Sequence, residues 1–140
     1  MIIPDSSKRT QRYFEIARRA AHSSTYGNIK HGAVLIKSGR ILNISFNKEN
    51  FCSFGARFRK RTCGPATVHA EIGAILGMAK KLTEGADIYV VRVGKNDNFQ
   101  MSKPCDMCQE VMKFVGIRRV FYTSQSGGFE MLKLKREEPL

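Results

Sequence analysis

The segment "DIYVVRV", from Asp87 to Val93, is apolar enough to form the buried central strand of a sheet. Before it, apolar residues at helical spacing predict a second helix from about Val68 to Lys81. After it, the turn "GKNDNF" leads to a third helix, which starts at Pro104 or Cys105 and ends before Gly116. The middle of the chain is therefore expected to be a helix, a buried strand and a second helix.

The flanking segments extend this pattern to both ends of the chain. A first helix is predicted over residues 7–23, a hairpin with strands up to Lys37 and from Arg40 to Phe46, and a long loop over 47–67. Strands are expected over 117–124 and from Phe129 to Lys135, and only "SQSGG" separates them. Because a parallel crossover needs a dozen or more residues, these last two strands should form an antiparallel hairpin. The order predicts one domain over 1–140, a three-layer α/β/α sandwich on a five-stranded mixed sheet.

Composition limits the class of protein. Apolar residues make up 42% of the 140 residues, which is enough for a core, and no apolar run is long enough to span a membrane. The N-terminus lacks the apolar stretch of a secretory signal, so a cytoplasmic protein is expected. In that reducing setting the four cysteines favour a metal site or catalysis over a disulfide framework.

The formal charge of +12 favours an anionic partner. Part of it is clustered in "ARFRKR", where Arg57, Arg59 and Arg61 flank Phe58 and Lys60. Basic and aromatic residues in one loop are typical of contacts with single-stranded nucleic acid, although a solvated charge run is the simpler alternative.

Two short motifs carry the chemistry. Cys105 and Cys108 fall on one face at a helix start, where the helix dipole favours thiolates, and they can share a metal ion. His69 can supply an imidazole from the start of the preceding helix, which makes a common zinc set with one open position. A metal there would activate a water, and Glu71 could move the proton of that water.

"HAEIGAI" followed by "PCDMC" is the H-x-E…P-C-x-x-C pattern of zinc deaminases. The chain resembles the cytidine/deoxycytidylate deaminase superfamily over nearly its whole length. The resemblance implies the cytidine deaminase fold, Zn²⁺ as cofactor, His69, Cys105 and Cys108 as zinc ligands, and Glu71 as the proton shuttle. It also implies hydrolytic deamination of cytosine to uracil, and a homo-oligomer, since members of the superfamily often form dimers, tetramers or hexamers.

The resemblance suggests substrate-binding residues as well. Asn47 ends the second strand, where the superfamily places an asparagine that contacts substrate, and "NKEN" is similar to the ribose-binding N-x-E-N of cytidine deaminases. Glu49 could therefore touch substrate or be a solvated loop residue. Ala70, between the histidine and the glutamate, is a further candidate. The remaining cysteines, Cys52 and Cys63, are expected to be free thiols rather than ligands of a second zinc.

Four functions stay open from the sequence. The favoured one is deamination of cytosine in a phosphate-bearing substrate, either a (deoxy)cytidylate or a single-stranded nucleic acid, and the charge supports it. The others are a salvage deaminase for free (deoxy)cytidine, a tRNA-type adenosine deaminase, and a zinc-stabilised binding module without activity.

Overall fold

The computed structural model describes eight stretches of the chain, which are residues 8–24, 30–51, 67–68, 70–75, 77–94, 97–124, 126 and 128–134. The elements in chain order are α1 (Lys8–Ala21), β1 (Lys30–Lys37), β2 (Arg40–Phe46), β3 (Lys48–Phe51), β4 (Thr67–Val68), α2 (Ala70–Ile75), α3 (Lys80–Thr83), β5 (Asp87–Val93), β6 (Phe99–Gln100), α4 (Asp106–Phe114), β7 (Arg119–Thr123) and β8 (Phe129–Lys133).

The main sheet has the strand order β2-β1-β5-β7-β8, and β6 pairs with the end of β5. β5 runs parallel to β7, while the β1–β2, β1–β5, β5–β6 and β7–β8 pairs are antiparallel. The central position predicted for Asp87–Val93 is confirmed, and so is the antiparallel hairpin at the end of the described chain.

Two apolar clusters lie on opposite faces of this sheet. On one face, Ile88 and Val90 pack with residues of α2 and α4. On the other face, Tyr89, Val91 and Val93 pack with α1. Since successive side chains of a strand point to opposite faces, β5 is covered on both sides, as its apolar sequence requires. The predicted three-layer α/β/α sandwich is therefore confirmed.

Gly32 brings α1 unusually close to the sheet. An added Cβ at Gly32 would lie 1.9 Å from the backbone oxygen of Ala17 and 2.8 Å from the backbone nitrogen of Ala21. Because both are helix backbone atoms, they cannot move aside as the end of a long side chain could. The glycine therefore fixes how closely α1 packs on β1.

The sequence prediction was wrong in three details. The helix expected from Val68 to Lys81 is two short helices, α2 and α3, separated at Gly77, whose φ of 79° no regular helix allows. The expected loop over 47–67 contains β3 and β4, which form a separate two-stranded antiparallel sheet. The five-stranded sheet gains a sixth strand, β6. None of the described helices is long and apolar enough to cross a membrane.

Candidate active site

The carboxyl ends of the parallel strands β5 and β7 define the edge at which the site is built. In α/β sheets, the crevice beyond these strand ends is the usual place for a ligand. The chain leaves β5 at Val93, forms β6, and returns to this edge at Ser102, whose backbone N–H donates to the carbonyl of Thr123 at 2.9 Å. α4 therefore starts at the carboxyl edge and leads back towards the start of β7.

Ser102 holds this return in place through a buried hydrogen-bond network. Its hydroxyl donates to the Val90 carbonyl at 2.8 Å and accepts from the backbone N–H of Thr123 at 2.7 Å. The Thr123 hydroxyl lies 2.8 Å from the same oxygen, and both residues are almost fully buried. Ser102 thus ties β5 to β7 three residues before Cys105. Ser102 was not among the predicted site residues, because nothing in the sequence pattern separates this serine from other polar loop residues.

The two cysteines occupy the start of α4, as predicted. Cys105 is the residue that caps the helix, with φ of −67° and ψ of 167°, and Cys108 lies one turn further on. The Gln109 side chain donates to the Pro104 carbonyl at 2.9 Å, which fixes the first turn. Cys108 is fully buried, Cys105 is partly buried, and both are thiols in this structure.

Glu71 meets this pair from the second residue of α2. It is 5% exposed and shares a side-chain hydrogen bond with Cys108, which is in turn hydrogen-bonded to Cys105. The hydrogen bond that the Cys108 thiol donates to Cys105, burial and the charge of Glu71 raise the pKa of the Cys108 thiol well above its ordinary value. The two helix starts therefore bring the predicted proton shuttle into contact with one predicted zinc ligand.

The donor set suits a zinc ion. The two cysteine sulfurs supply two donors, and a bound cation would stabilise both thiolates and the buried carboxylate beside them. Sulfur donors at a helix start are typical of zinc sites. Within the ranges given above, no group of three His, Cys, Asp or Glu side chains is placed to hold a metal ion. His69, the predicted third ligand, lies outside the described residues.

Asn47 is placed beside the amino end of β1. The side-chain oxygen of Asn47 accepts hydrogen bonds from the His31 backbone N–H, at 2.9 Å, and from the Ser24 hydroxyl. The backbone N–H of Asn47 donates to the His31 carbonyl at 3.2 Å. These bonds fix the carboxamide, which is 6% exposed. Its predicted contact with substrate stays a prediction.

Only one of the other predicted substrate-binding residues has a described side chain. Ala70 is fully buried at the start of α2. Glu49 lies in β3, whose side chains are not described, and Arg57, Arg59 and Arg61 lie outside the described residues together with Cys52 and Cys63.

Arg92, the penultimate residue of β5, was also not among the predicted site residues. It lies opposite His31 on one side and Gln100 on the other. The signal was a single charge inside an otherwise apolar central strand.

The comparisons with known proteins agree with this arrangement. Residues 7–124 match the family model of the cytidine and deoxycytidylate deaminase zinc-binding region. A tRNA-specific adenosine deaminase of Agrobacterium fabrum (strain C58) is 33% identical over 98 residues, which are 67% of this chain and 51% of that protein. The chain thus spans about half the length of that relative.

Two further similarities cover more of the chain. An uncharacterized deaminase from the luxG 3′ region of Aliivibrio fischeri is 31% identical over 125 residues, 88% of this chain and 78% of that protein. The crystal structure of dCMP deaminase from the cyanophage S-TIM5 has the same fold, with a TM-score of 0.61, 24% identity and 85% of each chain covered.

The family model covers most of the chain. The structure brings together two thiols and a buried glutamate from the two sequence motifs of the chain. The resemblance seen in the sequence is therefore confirmed, and with it Zn²⁺ as the cofactor. The chain belongs to the cytidine and deoxycytidylate deaminase zinc-binding family.

Proposed function

We propose that the protein hydrolytically deaminates a cytosine base in a phosphate-bearing substrate, which converts the base to uracil and releases ammonia. The contact of buried Glu71 with Cys108, next to Cys105, is the observation from which we infer the reaction class. A buried carboxylate beside a pair of zinc-binding thiols is the arrangement that hydrolytic deamination needs.

The zinc ion would be held by His69, Cys105 and Cys108 and would supply the Lewis acidity that makes water a nucleophile near neutral pH. Glu71 takes a proton from the attacking water and delivers it to the ring nitrogen, and it then moves the second proton, from the hydroxyl added to the ring carbon, to the departing amine. Water adds its oxygen to the carbon that loses the amine, so one carbonyl and one ammonia are formed. Burial of Glu71 keeps this proton transfer away from bulk solvent.

Cytosine is favoured because the matching family is that of cytidine and deoxycytidylate deaminases. A phosphate-bearing substrate is favoured by the net charge of +12, since a positive surface concentrates anionic ligands. The substrate would be a (deoxy)cytidylate or a single-stranded nucleic acid. The remaining proposals, a cytoplasmic location and a homo-oligomeric state, rest on the sequence and on the resemblance.

A second candidate substrate is adenosine in tRNA. The relative from Agrobacterium fabrum is named as a tRNA-specific adenosine deaminase, and it is 33% identical to this chain over 98 residues. This activity would convert adenosine to inosine with the same zinc ion and the same glutamate.

A competition assay tests the proposal. Zinc-loaded protein is offered deoxycytidine, deoxycytidylate, a cytosine-containing single-stranded oligonucleotide and a tRNA anticodon stem–loop, and base conversion is followed by mass spectrometry. Uracil in deoxycytidylate or in the oligonucleotide is the expected result. Inosine in the RNA, or uracil in free deoxycytidine alone, contradicts it.

The salt dependence separates the two phosphate-bearing substrates. The logarithm of oligonucleotide affinity should fall linearly with the logarithm of salt concentration, with a slope of roughly −0.7 per phosphate contacted. A mononucleotide with one phosphate should show a slope of about −1 or shallower.

A further inference from the structure

Arg92 is a half-buried arginine without an acidic partner in the described part of the chain. Its Nε is buried and has no hydrogen-bond partner among the described residues. None of the ion pairs found in those residues includes it. Burying a guanidinium without a partner is costly, so arginines in such places are usually paired or bind an anionic ligand.

Two other arginines show how unusual this is. Arg18 also has a buried Nε without a hydrogen bond, but it pairs with Glu15 at 3.3 Å and Asp97 at 3.5 Å and stacks over a ring. Arg119 makes two hydrogen bonds to Asp87, at 2.7 and 3.0 Å. The described structure accounts for both of these charges and leaves that of Arg92 without a counter-charge.

Arg92 lies on the face of the sheet that carries the site. Ile88 and Val90 of the same strand pack with α2 and α4, and the alternation of side chains puts Arg92 on their face. The Val90 carbonyl accepts from Ser102, three residues before Cys105. Arg92 is two residues further along β5, about 7 Å nearer the carboxyl edge at which α4 begins.

Its neighbours across the sheet are polar and lie at the same level of the sheet. His31 lies opposite Arg92 on β1, and Gln100 lies opposite it on β6. His31 is in turn bound through its backbone to Asn47, the residue that the resemblance assigns to substrate. The row Asn47–His31–Arg92–Gln100 thus crosses the sheet at its carboxyl edge, and only Arg92 carries a permanent charge.

We propose that Arg92 binds the phosphate group of the substrate. This inference rests on the proposed function, because it assigns the anion to the nucleotide that carries the target base. A guanidinium presents two parallel donors that match two phosphate oxygens, and the half-buried position strengthens that contact. The phosphate could be the monoester of a free nucleotide or the diester next to the target base in a single strand, since both present the same oxygens.

The test compares ligands that differ by one phosphate. Affinities of zinc-loaded protein for dUMP, for deoxyuridine and for a uracil-centred deoxytrinucleotide are measured by calorimetry. Wild type should bind dUMP or the trinucleotide about 10- to 100-fold more tightly than deoxyuridine, the range expected for a charged hydrogen-bonded contact. The tighter of the two identifies which phosphate is recognised.

Arg92→Gln should abolish this difference and leave the affinity for deoxyuridine unchanged. Arg92→Lys should keep part of the difference, because lysine keeps the positive charge but lacks the two parallel N–H donors of the guanidinium. The lysine variant replaces the glutamine variant in the test if the latter does not fold. Arg40→Gln is the matched control. It removes one positive charge at the exposed β1–β2 turn, at the opposite end of β1 and β2, and should bind like wild type.

The proposal is overturned if wild type binds dUMP, the trinucleotide and deoxyuridine alike, if the difference survives Arg92→Gln, or if all affinities fall equally in that variant. These binding results do not depend on turnover. Should the competition assay yield inosine rather than uracil, the proposed function fails. Inosine and its monophosphate then replace the uracil ligands in the same comparison.

Discussion

At the scale of single residues, a substitution of Glu71 should lower the rate of the reaction without lowering the stability of the fold. Glu71→Gln keeps the shape and a hydrogen-bonding group next to Cys108 but cannot accept a proton. We expect kcat to fall about 10²- to 10⁴-fold, the usual contribution of a general acid–base group, while bound zinc and the melting temperature stay near wild type. Turnover assays, zinc analysis and thermal unfolding check this.

Glu110→Gln is the matched control, because Glu110 lies on exposed α4 surface and pairs only with Lys113 in the described part of the chain. Wild-type kcat is expected there. Full activity of Glu71→Gln would contradict the proton-transfer role and favour the zinc-stabilised binding module.

Ser102 gives a second prediction at this scale. Ser102→Ala removes a buried hydroxyl and leaves the Val90 carbonyl and the Thr123 N–H without that partner. The free energy of unfolding should fall by about 1–3 kcal/mol, the cost of leaving buried polar groups unsatisfied. Because the serine fixes the approach to Cys105, zinc affinity should fall as well.

Urea unfolding and competition with a zinc indicator measure these two effects. Ser126→Ala removes an exposed hydroxyl whose hydrogen bond joins it to Ser124, and it should change the free energy of unfolding by less than about 0.5 kcal/mol. Equal effects of the two substitutions would show that the Ser102 network does not hold the loop.

At the scale of elements, the packing of α1 on β1 depends on Gly32. Gly32→Ala places a methyl group against helix backbone, so α1 must move away from the sheet. We expect the free energy of unfolding to fall by about 1–3 kcal/mol or more, as in other overpacked cores. Thermal or urea unfolding measures the change.

Gly128→Ala is the comparison, since among the described residues its Cβ would meet only two serine hydroxyl oxygens, at 3.4 and 4.0 Å, which is ordinary contact. A stable Gly32→Ala protein would mean that α1 docks less tightly than the described contact indicates.

The elements also show what the sequence could and could not predict. Periodicity located α1, β1, β2, β5, α4, β7 and β8 because each has a clear apolar pattern or a turn residue at its end. It joined α2 to α3, because the apolar spacing continues across Gly77, and only the backbone shows the left-handed turn there. It missed β6, since two residues are too few for a pattern.

In the candidate site, too, the residues in local motifs were predictable and those whose roles depend on strand pairing were not. Cys105, Cys108 and Glu71 were predicted from local motifs, and the structure brings these three together. Ser102 and Arg92 were missed because their roles depend on strand pairing and on which face of β5 points to the helices. Strand pairing brings together residues that are far apart in the chain, and the face on which a side chain lies depends on the register of the strands.

At the scale of the whole molecule, the site and the fold depend on each other. Glu71 and the cysteines come from helices that follow different strands and meet only when the sheet has formed. A zinc ion held at this junction binds the folded chain and not the unfolded one, so it adds to stability. Metal removal should therefore destabilise the whole domain rather than the site alone.

We expect a strong chelator to lower the melting temperature of the wild-type protein by about 10 °C, because each kcal/mol of lost stability lowers it by several degrees in a domain of this size. Cys108→Ser should melt at the lower temperature with or without chelator, since it lacks one proposed ligand. Cys63→Ser is the control, as Cys63 is predicted to be a free thiol, and it should respond like wild type. Calorimetry measures the melting temperature of each sample, and zinc analysis measures its metal content. A Cys108→Ser protein that retains zinc and still loses stability on chelation would exclude Cys108 from the metal site, while a Cys63→Ser protein without zinc would require a metal ligand in the loop before α2.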